Sequence, residues 1–437
     1  MQLKKKIVGS LAAATCSLLS AASGPSIAAE EIRKWEFDTA LLYYGETDRV
    51  TDASFRFHAR KSFRNAGEWL FSLSIDSLTG SSANGAMPAN MAQTFTTPSG
   101  AGSYVVQPGQ MPLDPTFFDT REALTASWSR PIGKWRTNIG ASISNEYDYL
   151  HAGINGGFNR DFNNRNTSFV VGLGFANDSI DPVGGVPIPF APMLPDDDSL
   201  AAGFPGGAPP SSKIDGGDTK TVIDLLVGIT QVLSRKTIAQ FNYSISRAEG
   251  YLSDPYKLIS VVDAMTGDPA PGPGNVNLYR FESRPDERTK HSVFAQVKHH
   301  FGRDFIDGSY RFMTDDWGVM SHAVDLRYRW KWRNKSYWQP HVRWYTQTAT
   351  DFYVYSLTDG ATLPLHASSD YRLGRFDAYT VGLKYGRPMG GRREWSVRVE
   401  YYNQSGNGSP SEAIGSQRSF DLYPTVDAVI VQAGFNF

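Results

Sequence analysis

Short segments in which apolar and polar residues alternate recur along the whole sequence, and this period-two pattern is typical of a half-buried β-strand. In one of them Trp35, Phe37 and Leu41 share one face, while Glu36 and Asp38 share the other. Beyond the first 28 residues no segment has the run of about 18 apolar residues expected of a transmembrane helix. A strand needs only about 9–11 residues to cross a bilayer, provided that its sheet closes on itself. The pattern therefore predicts an all-β fold, a transmembrane antiparallel β-barrel.

The number of alternating segments is about 16, which is typical of outer-membrane barrels. The strands are predicted near residues 34–45, 51–63, 68–79, 119–130, 134–146, 149–161, 166–178, 219–233, 236–249, 288–301, 304–314, 319–332, 336–349, 371–386, 393–404 and 426–437.

The connections between these segments sort by length. We number the connections in chain order. If the first strand starts in the periplasm, every even-numbered connection is a short turn, mostly basic or rich in Gly and Asn. All of the long connections are odd-numbered, and they lie near 80–118, 177–218, 250–287, 350–370 and 405–422. Outer-membrane barrels alternate short periplasmic turns with longer external loops. The sorting therefore predicts an outer-membrane location with both termini in the periplasm.

The N-terminal segment predicts a secretory signal peptide. Lys4, Lys5 and Lys6 precede an uncharged stretch over 7–23, and the small residues Ser26 and Ala28 at the −3 and −1 positions supply a cleavage site. We therefore expect a cleaved signal peptide over residues 1–28 and an outer-membrane barrel over 29–437.

Cysteine content and charge restrict the function of the mature chain. The single cysteine, Cys16, lies in the signal peptide, so no disulfide, thiol nucleophile or thiolate metal site is expected. Three of the 43 Lys and Arg residues also lie there, which leaves a formal charge of −4 against 44 acidic residues. This near balance argues against a nucleic-acid partner. No cofactor is expected.

The C-terminal strand ends at Phe437, with Val429, Val431, Ala433 and Phe435 on the same face. It resembles the final strand of bacterial outer-membrane proteins, which the barrel-assembly machinery reads. The expected partners are therefore membrane lipid and that machinery, through the Phe437 strand. A periplasmic partner is left open.

Charged residues on the polar strand faces are expected to line the lumen, because charge is costly against lipid. The candidates carry both signs: Glu36, Asp38, Arg56, His58, Arg60, Asp76, Arg136, Asp224, Lys298, Arg311, Asp325, Arg327, Arg329, Arg343, Lys384, Arg398 and Glu400. A barrel of about 16 strands is wide enough for an aqueous channel. The alternative is a lumen filled by salt bridges and folded-in loops.

The connection 250–287 has charged and aromatic residues at both ends. They are Tyr251, Asp254, Tyr256, Lys257, Glu282, Arg284, Asp286 and Arg288. These side chains either bind a ligand or partner, or pair with one another and pin the loop over the barrel mouth, which is the preferred interpretation. Another loop contains Asp196, Asp197 and Asp198, whose oxygens suit Ca²⁺. Their spacing matches no calcium-loop motif, so a solvated acidic loop is expected and no metal site is predicted.

Several loop runs resemble an uncharacterised family of Gram-negative proteins known only as a domain of unknown function. The runs are GYLSDPYK (250–257), ESRPDERTKH (282–291), SLTGSSANGA (77–86), QPHVRWYTQTATDFY (339–353) and DYRLG (370–374). The resemblance covers nearly the whole mature chain and implies an exported outer-membrane barrel. It implies no substrate or catalytic residue, and it hints at a role beside a periplasmic redox- or flavin-linked system.

Three functions remain open at this point. A porin-like channel or small-solute binding barrel is preferred, and a non-conducting scaffold or assembly partner is the alternative. An enzyme is disfavoured, although several histidines lie on predicted strands, two of them beside a serine: His291, His299, His322 and His341, with Ser292 and Ser321. Adjacent residues of a strand point to opposite faces, so neither neighbouring pair can be a dyad, whereas cross-strand pairs remain possible. No nucleophile motif supports such a pair, so no catalytic residue is predicted.

Overall fold

The computed structural model describes residues 35–97, 102–194, 211–272, 276–391 and 393–437. The predicted signal peptide and the run Asp196 to Asp198 lie outside these ranges. Within the ranges, no helix has the length and apolar character needed to cross a membrane.

The described chain is built mainly of β-strands. In chain order they are β1 (Trp35–Glu46), β2 (Val50–Ser62), β3 (Glu68–Ala83), β4 (Gln93–Thr96), β5 (Ser103–Val106), β6 (Leu113–Ile132), β7 (Trp135–Glu146), β8 (Tyr149–Phe162), β9 (Thr167–Ile180), β10 (Val186–Pro187), β11 (Lys213–Ile214), β12 (Asp218–Ser234), β13 (Thr237–Gly250), β14 (Leu258–Val262), β15 (Tyr279–Phe281), β16 (Glu287–Phe301), β17 (Asp304–Asp315), β18 (Met320–Lys331), β19 (Tyr337–Gln347), β20 (Ser356–Thr358), β21 (Phe376–Gly390), β22 (Arg393–Gly406) and β23 (Val426–Asn436). Short 3₁₀ turns occupy Asn163–Arg165, Arg333–Lys335 and Gly415–Ser419.

Sixteen strands form one closed antiparallel barrel, and each pairs with its neighbours along the chain. The other seven (β4, β5, β10, β11, β14, β15 and β20) form small separate sheets. The barrel closes where β23 pairs with β1, with Thr39 opposite Phe435. Closure leaves no unpaired edge in the wall. The predicted all-β barrel of about 16 strands is thus confirmed.

Four strand boundaries differ from the prediction by four residues or more, at the end of β3, the start of β6 and both ends of β21. β6 begins at Leu113 rather than near residue 119, because β3 and β6 keep pairing beyond an irregularity between Gly80 and Ser82. Pro115 lies in this extension. Because proline has no backbone N–H to donate to a regular strand ladder, its presence argues against a strand at this position in the sequence. β21 begins at Phe376 rather than near residue 371, because the preceding residues belong to a loop structure described below.

The outer face of the barrel is apolar. Leu41, Ile139, Ile154, Leu173 and Val381 are each between 56% and 64% exposed, although all are aliphatic. Such a surface is unfavourable in water and favourable against lipid. The fold is therefore that of an outer-membrane β-barrel.

One end of the barrel carries only short connections, and we call it the turn end. The turn between β6 and β7 has two residues, and its Gly133 has a φ of 60°. Gly302, between β16 and β17, has a φ of 57°. Glycine adopts these left-handed angles without a steric penalty, and two-residue hairpin turns favour them. These turns join consecutive strands without leaving the wall.

The long connections meet at the opposite end, which we call the loop end, and fold together as a cap. The cap consists of the described residues within 84–112, 181–217, 251–286, 348–375 and 407–425. It includes a three-stranded sheet of β15, β14 and β20. Its interior contains buried side chains from three connections, among them Phe95, Met193, Leu258, Tyr279 and Phe281. The loops are therefore a packed structure with an apolar core of their own.

The cap covers the inner face of the barrel at the loop end. Asp52, Asp76 and Asp178 point inward there and are at most 3% exposed. Asp38 and Lys298 point inward closer to the turn end and are exposed. The barrel therefore differs at its two ends, with a covered loop end and an accessible turn end.

Candidate functional site

Strand register places every charged residue that was predicted to line the lumen on the inner face. Side chains alternate between faces along a strand, and paired residues of neighbouring strands share a face. Glu36 lies opposite Arg60, and Asp38 lies opposite His58. The same register continues around the barrel to the predicted residues on β22, Arg398 and Glu400. Their contribution to a solute path stays a prediction.

Three arginines on the inner face are exposed. They are Arg56 on β2, Arg311 on β17 and Arg343 on β19. Within the described part of the chain none of them pairs with a carboxylate, although the Arg311 guanidinium lies 5.4 Å from the centre of the Phe294 ring. These groups give the interior a local excess of positive charge.

The inner face also holds an ion cluster around His341. Its Nδ1 lies 2.7 Å from Glu400 Oε1 and its Nε2 lies 2.9 Å from Asp325 Oδ2. Arg327 Nη2 donates to the same Asp325 oxygen at 3.2 Å. Since carboxylates occupy both ring nitrogens, His341 has no free nitrogen to serve as a base. The cluster links β18, β19 and β22 across the wall.

The other three histidines named in the sequence analysis each form a hydrogen bond with the hydroxyl group of a tyrosine or a threonine, and none with a serine. His291 Nδ1 is 2.7 Å from Tyr243 Oη, and His322 Nδ1 is 2.8 Å from Tyr310 Oη. His299 Nδ1 is 2.8 Å from Thr237 Oγ1. Within the described residues none of these three rings also binds a carboxylate, so none is part of a nucleophile–base–acid series.

A different histidine, which the sequence analysis did not single out, does contact a serine. Ser142 Oγ lies 3.1 Å from His151 Nε2, and His151 Nδ1 lies 2.7 Å from Asp178 Oδ1. The three residues lie on the consecutive strands β7, β8 and β9. The signal was available in the pairing register: with a two-residue turn after Glu146, Ser144 faces His151, and Ser142 is the next inward residue.

The ends of the 250–287 connection contribute to a buried ionic network in the cap. Arg284 Nε lies 2.6 Å from Glu282 Oε1, and its Nη2 donates to Asp370 Oδ2 at 3.0 Å. Arg372 Nη2 donates to Asp254 Oδ2 at 2.6 Å. All of these side chains are at most 6% exposed. The network therefore joins the 251–286 connection to the 348–375 connection.

Lys257 adds a sixth charge to this network. Its ammonium group donates to the carbonyl oxygen of Ala83 at the end of β3, which ties the cap to the wall. With Asp254, Glu282 and Asp370 opposed by Lys257, Arg284 and Arg372, the network is formally neutral. We call these six residues the cap network.

Burial and charge act against each other on the acids of the cap network. Burial alone would raise the pKa of Asp370, but Arg372, Arg284 and Lys257 outweigh it and hold that pKa well below its usual range. The pKa of Asp254 is likewise lowered, because its cationic neighbours outweigh burial. Burial dominates at Glu282 and raises its pKa. The two aspartates therefore stay ionised where an ordinary carboxyl begins to bind a proton.

The remaining loop candidates lie around this network rather than inside it. Tyr256 Oη accepts a hydrogen bond from the Val183 amide at 3.2 Å. Tyr251 lines a small cavity beside the wall. Arg288 lies on β16, and its Nη2 is 2.5 Å from Asp315 Oδ2. Asp286 is exposed and is not part of the cap network.

A cavity of about 420 Å³ lies between the cap and the wall. Its volume is in the range of pockets that hold small ligands. It is lined by residues of the 84–112 connection, β6 and the 251–286 connection, and charged side chains of both signs face it: Asp114, Asp119, Asp148, Asp254, Lys257 and Arg372. Among the described residues no group of three or more His, Cys, Asp or Glu is arranged to hold a metal ion.

Comparisons with known proteins identify a family. Residues 8–437 match the model of a family described as "Protein of unknown function (DUF3570)". Among curated proteins, none matches this sequence.

Comparison with solved structures finds distant similarity to several proteins. One is Pseudomonas putida OprB, with 9% identity, 92% of this chain and 94% of that chain covered, and a TM-score of 0.42. Another is the Pseudomonas putida toluene transporter TodX, which is 8% identical, with 96% of this chain and 91% of that chain covered and a TM-score of 0.37. A third is Pseudomonas aeruginosa OccK5, which is 8% identical, with 94% of this chain and 99% of that chain covered and a TM-score of 0.39.

Proposed function

The chain belongs to this uncharacterised family, and from its geometry we propose that it is a porin-like outer-membrane barrel for small anionic solutes, held shut by its cap. The observation that carries the proposal is the exposure of Arg56, Arg311 and Arg343 on the inner face. An unpaired charge is stable inside a protein only where water reaches it. The exposed guanidinium groups therefore support a water-filled interior, and their charge favours anions.

The orientation follows from the loop lengths. Short turns of outer-membrane barrels face the periplasm, so the turn end is periplasmic and the cap is external. Both termini then lie in the periplasm. The apolar outer face contacts lipid, and the strand that ends at Phe437 is presented to the barrel-assembly machinery during insertion.

The cap sets the resting state of the channel. Its apolar core and the cap network hold it over the loop end, so the wild-type channel is mostly closed. Opening requires the cap network to break or to rearrange.

The alternative is a barrel that never conducts and instead presents its cap to a partner, as a scaffold for a periplasmic or surface protein. The extent of the cap core favours this function over a constitutively open pore. It differs from the proposed function in one measurable property, which is conductance after the cap is released.

Planar-bilayer recording of the mature, heat-modifiable protein tests the proposal. We expect rare openings in the wild-type protein, and a reversal potential in a salt gradient that shows preference for anions. Absence of conductance in both the wild-type protein and a cap-released variant would reject the channel and leave the scaffold. Cation preference would reject the role assigned to the three arginines.

A further inference from the structure

The inner wall beneath the cap contains a hydrogen-bonded Ser–His–Asp series that the channel function does not use. Ser142 Oγ is 3.1 Å from His151 Nε2, and His151 Nδ1 is 2.7 Å from Asp178 Oδ1. A nucleophile, a base and an orienting carboxylate in this order are the arrangement that activates serine for acyl transfer. We propose that Ser142, His151 and Asp178 form a catalytic triad that hydrolyses small carboxylic esters inside the barrel.

The carboxylate is held in the orientation that a triad requires. Asp178 Oδ2 accepts hydrogen bonds from Tyr149 Oη and, at 2.9 Å, from Lys220 Nζ. Its Oδ1 is directed at the histidine. An imidazole whose Nδ1–H is bound by a carboxylate presents Nε2 as the base. The neighbours of Asp178 therefore fix the ring in the useful tautomer.

The serine–histidine contact depends on a glycine. A Cβ at Gly153 would lie 2.9 Å from Ser142 Oγ and 3.1 Å from His151 Nε2. A contact below 3.0 Å requires the serine to move, and the adjacent ring would also be displaced. Only glycine at this inward position leaves both reactive atoms in place.

Several glycines lie near the triad on the inner face. They are Gly140, Gly153, Gly157, Gly172, Gly174 and Gly228 on β7, β8, β9 and β12. Gly157 on β8 pairs with Gly172 on the adjacent strand β9. These positions carry no side chain of their own, although the Asn155 and Asn242 side chains extend over Gly140 and Gly228. The His151 side chain remains 16% exposed, so the base is reachable from the lumen.

The reaction balances with water as the only co-reactant. Ser142 Oγ attacks the ester carbonyl carbon and its proton passes to His151 Nε2. The carbon–oxygen bond to the alcohol breaks, and the alcohol leaves with that proton. Water, deprotonated by His151, then attacks the acyl-serine, which releases the carboxylic acid and returns the proton to Ser142.

A fluorophosphonate probe tests the triad in the full-length folded barrel without knowledge of the natural ester. We expect covalent labelling at Ser142, located by peptide mass spectrometry, and hydrolysis of p-nitrophenyl acetate. His151→Gln should lower both by at least about a hundredfold, the typical contribution of a general base.

Ser144→Ala is the matched control, since Ser144 is the adjacent inward serine on the same strand and lies opposite His151 in the register. It should label as the wild-type protein does. Heat-modifiable migration verifies folding of each variant. If the folded wild-type protein does not label, or if Ser142→Ala labels equally, the three residues are a structural network and the proposal is wrong.

Discussion

Arg372 Nη2 lies 2.6 Å from Asp254 Oδ2, and this hydrogen bond joins residues 118 positions apart in two connections of the cap. The same guanidinium group contacts both oxygens of Asp370 through its Nε, at 2.7 and 2.8 Å. One cation thus neutralises two buried acids. Removing it would take from Asp254 the guanidinium bound to it and leave Asp370 with Arg284 as its remaining hydrogen-bonded cation, so that the cap network would carry a net negative charge.

We therefore expect Arg372→Met to release the cap. Loss of one partner of a buried ion pair costs about 3–5 kcal/mol, which exceeds what most single surface contacts contribute. Channel openings should become frequent, and the 251–286 and 348–375 connections should be cut faster by protease. Arg375→Met is the matched control, because Arg375 is exposed and lies only three positions away. Unchanged conductance and unchanged proteolysis in Arg372→Met would show that the network does not hold the cap.

The pH dependence of the cap follows from its aspartates. The pKa values of Asp254 and Asp370 are lowered in the folded cap, so their stabilising contribution is complete above the ordinary value of about 3.9. It is lost as the pH falls from there through the lowered values. Glu282 has the opposite sign: its raised pKa means that acidification toward about 4.3 favours the folded cap.

Conductance recorded from pH 7 downward should therefore stay low until about pH 4 and rise only below it. Proteolysis of the 251–286 connection by an acid-active protease gives a second readout. Opening near pH 6 would contradict the assigned role of the two aspartates.

The exposed arginines should determine ion selectivity. Arg311→Gln and Arg343→Gln each remove one positive charge from the interior without breaking an ion pair in the described chain. We expect each change to move the reversal potential in a potassium chloride gradient toward cation preference, and the double variant to move it further. Arg235→Gln, in an exposed turn between β12 and β13, should change it less. Equal effects from all three positions would argue against an arginine-lined path.

The seam between the first and last strands gives Phe437 a measurable role. Its amide donates to the Phe37 carbonyl at 2.9 Å, and the Phe37 amide donates back at 2.8 Å. The two rings lie 5.3 Å apart. Deletion of Phe437 should reduce the yield of folded barrel, whereas Phe437→Tyr should preserve it.

Refolding in detergent separates the two explanations for that loss. If the deletion variant refolds normally in detergent but fails in cells, the residue is read by the assembly machinery. If it fails in both, closure of the seam is the cause. Normal yield in cells would contradict both.

The wall was predictable from sequence, and the cap was not. Strand positions followed from alternation, because one face of each strand meets lipid and the other meets the interior. The long connections lack such a period, and their fold depends on contacts between distant segments, such as Leu258 packing near Phe95. Their charged ends could be noticed, but the pairing of Arg372 with Asp254 could not be derived from spacing.

The histidines illustrate the same limit. His291, His299, His322 and His341 were considered because they lie on clear strands, yet the structure gives none of them a serine partner. His151 has one, and its partner follows from a hairpin register that a single-residue error in the turn would have reversed. Exact register is needed to identify a site, whereas approximate register is sufficient to identify a barrel.

The continuous run of β7, β8 and β9 also has a consequence for the order of assembly. Ser142 and His151 are nine residues apart, and His151 and Asp178 are 27 apart. The seam instead brings together Thr39 and Phe435, which are 396 residues apart. Contacts between nearby residues close small loops at little entropic cost. The three side chains can therefore meet while the chain is still an open sheet, before the seam closes and a lumen is enclosed.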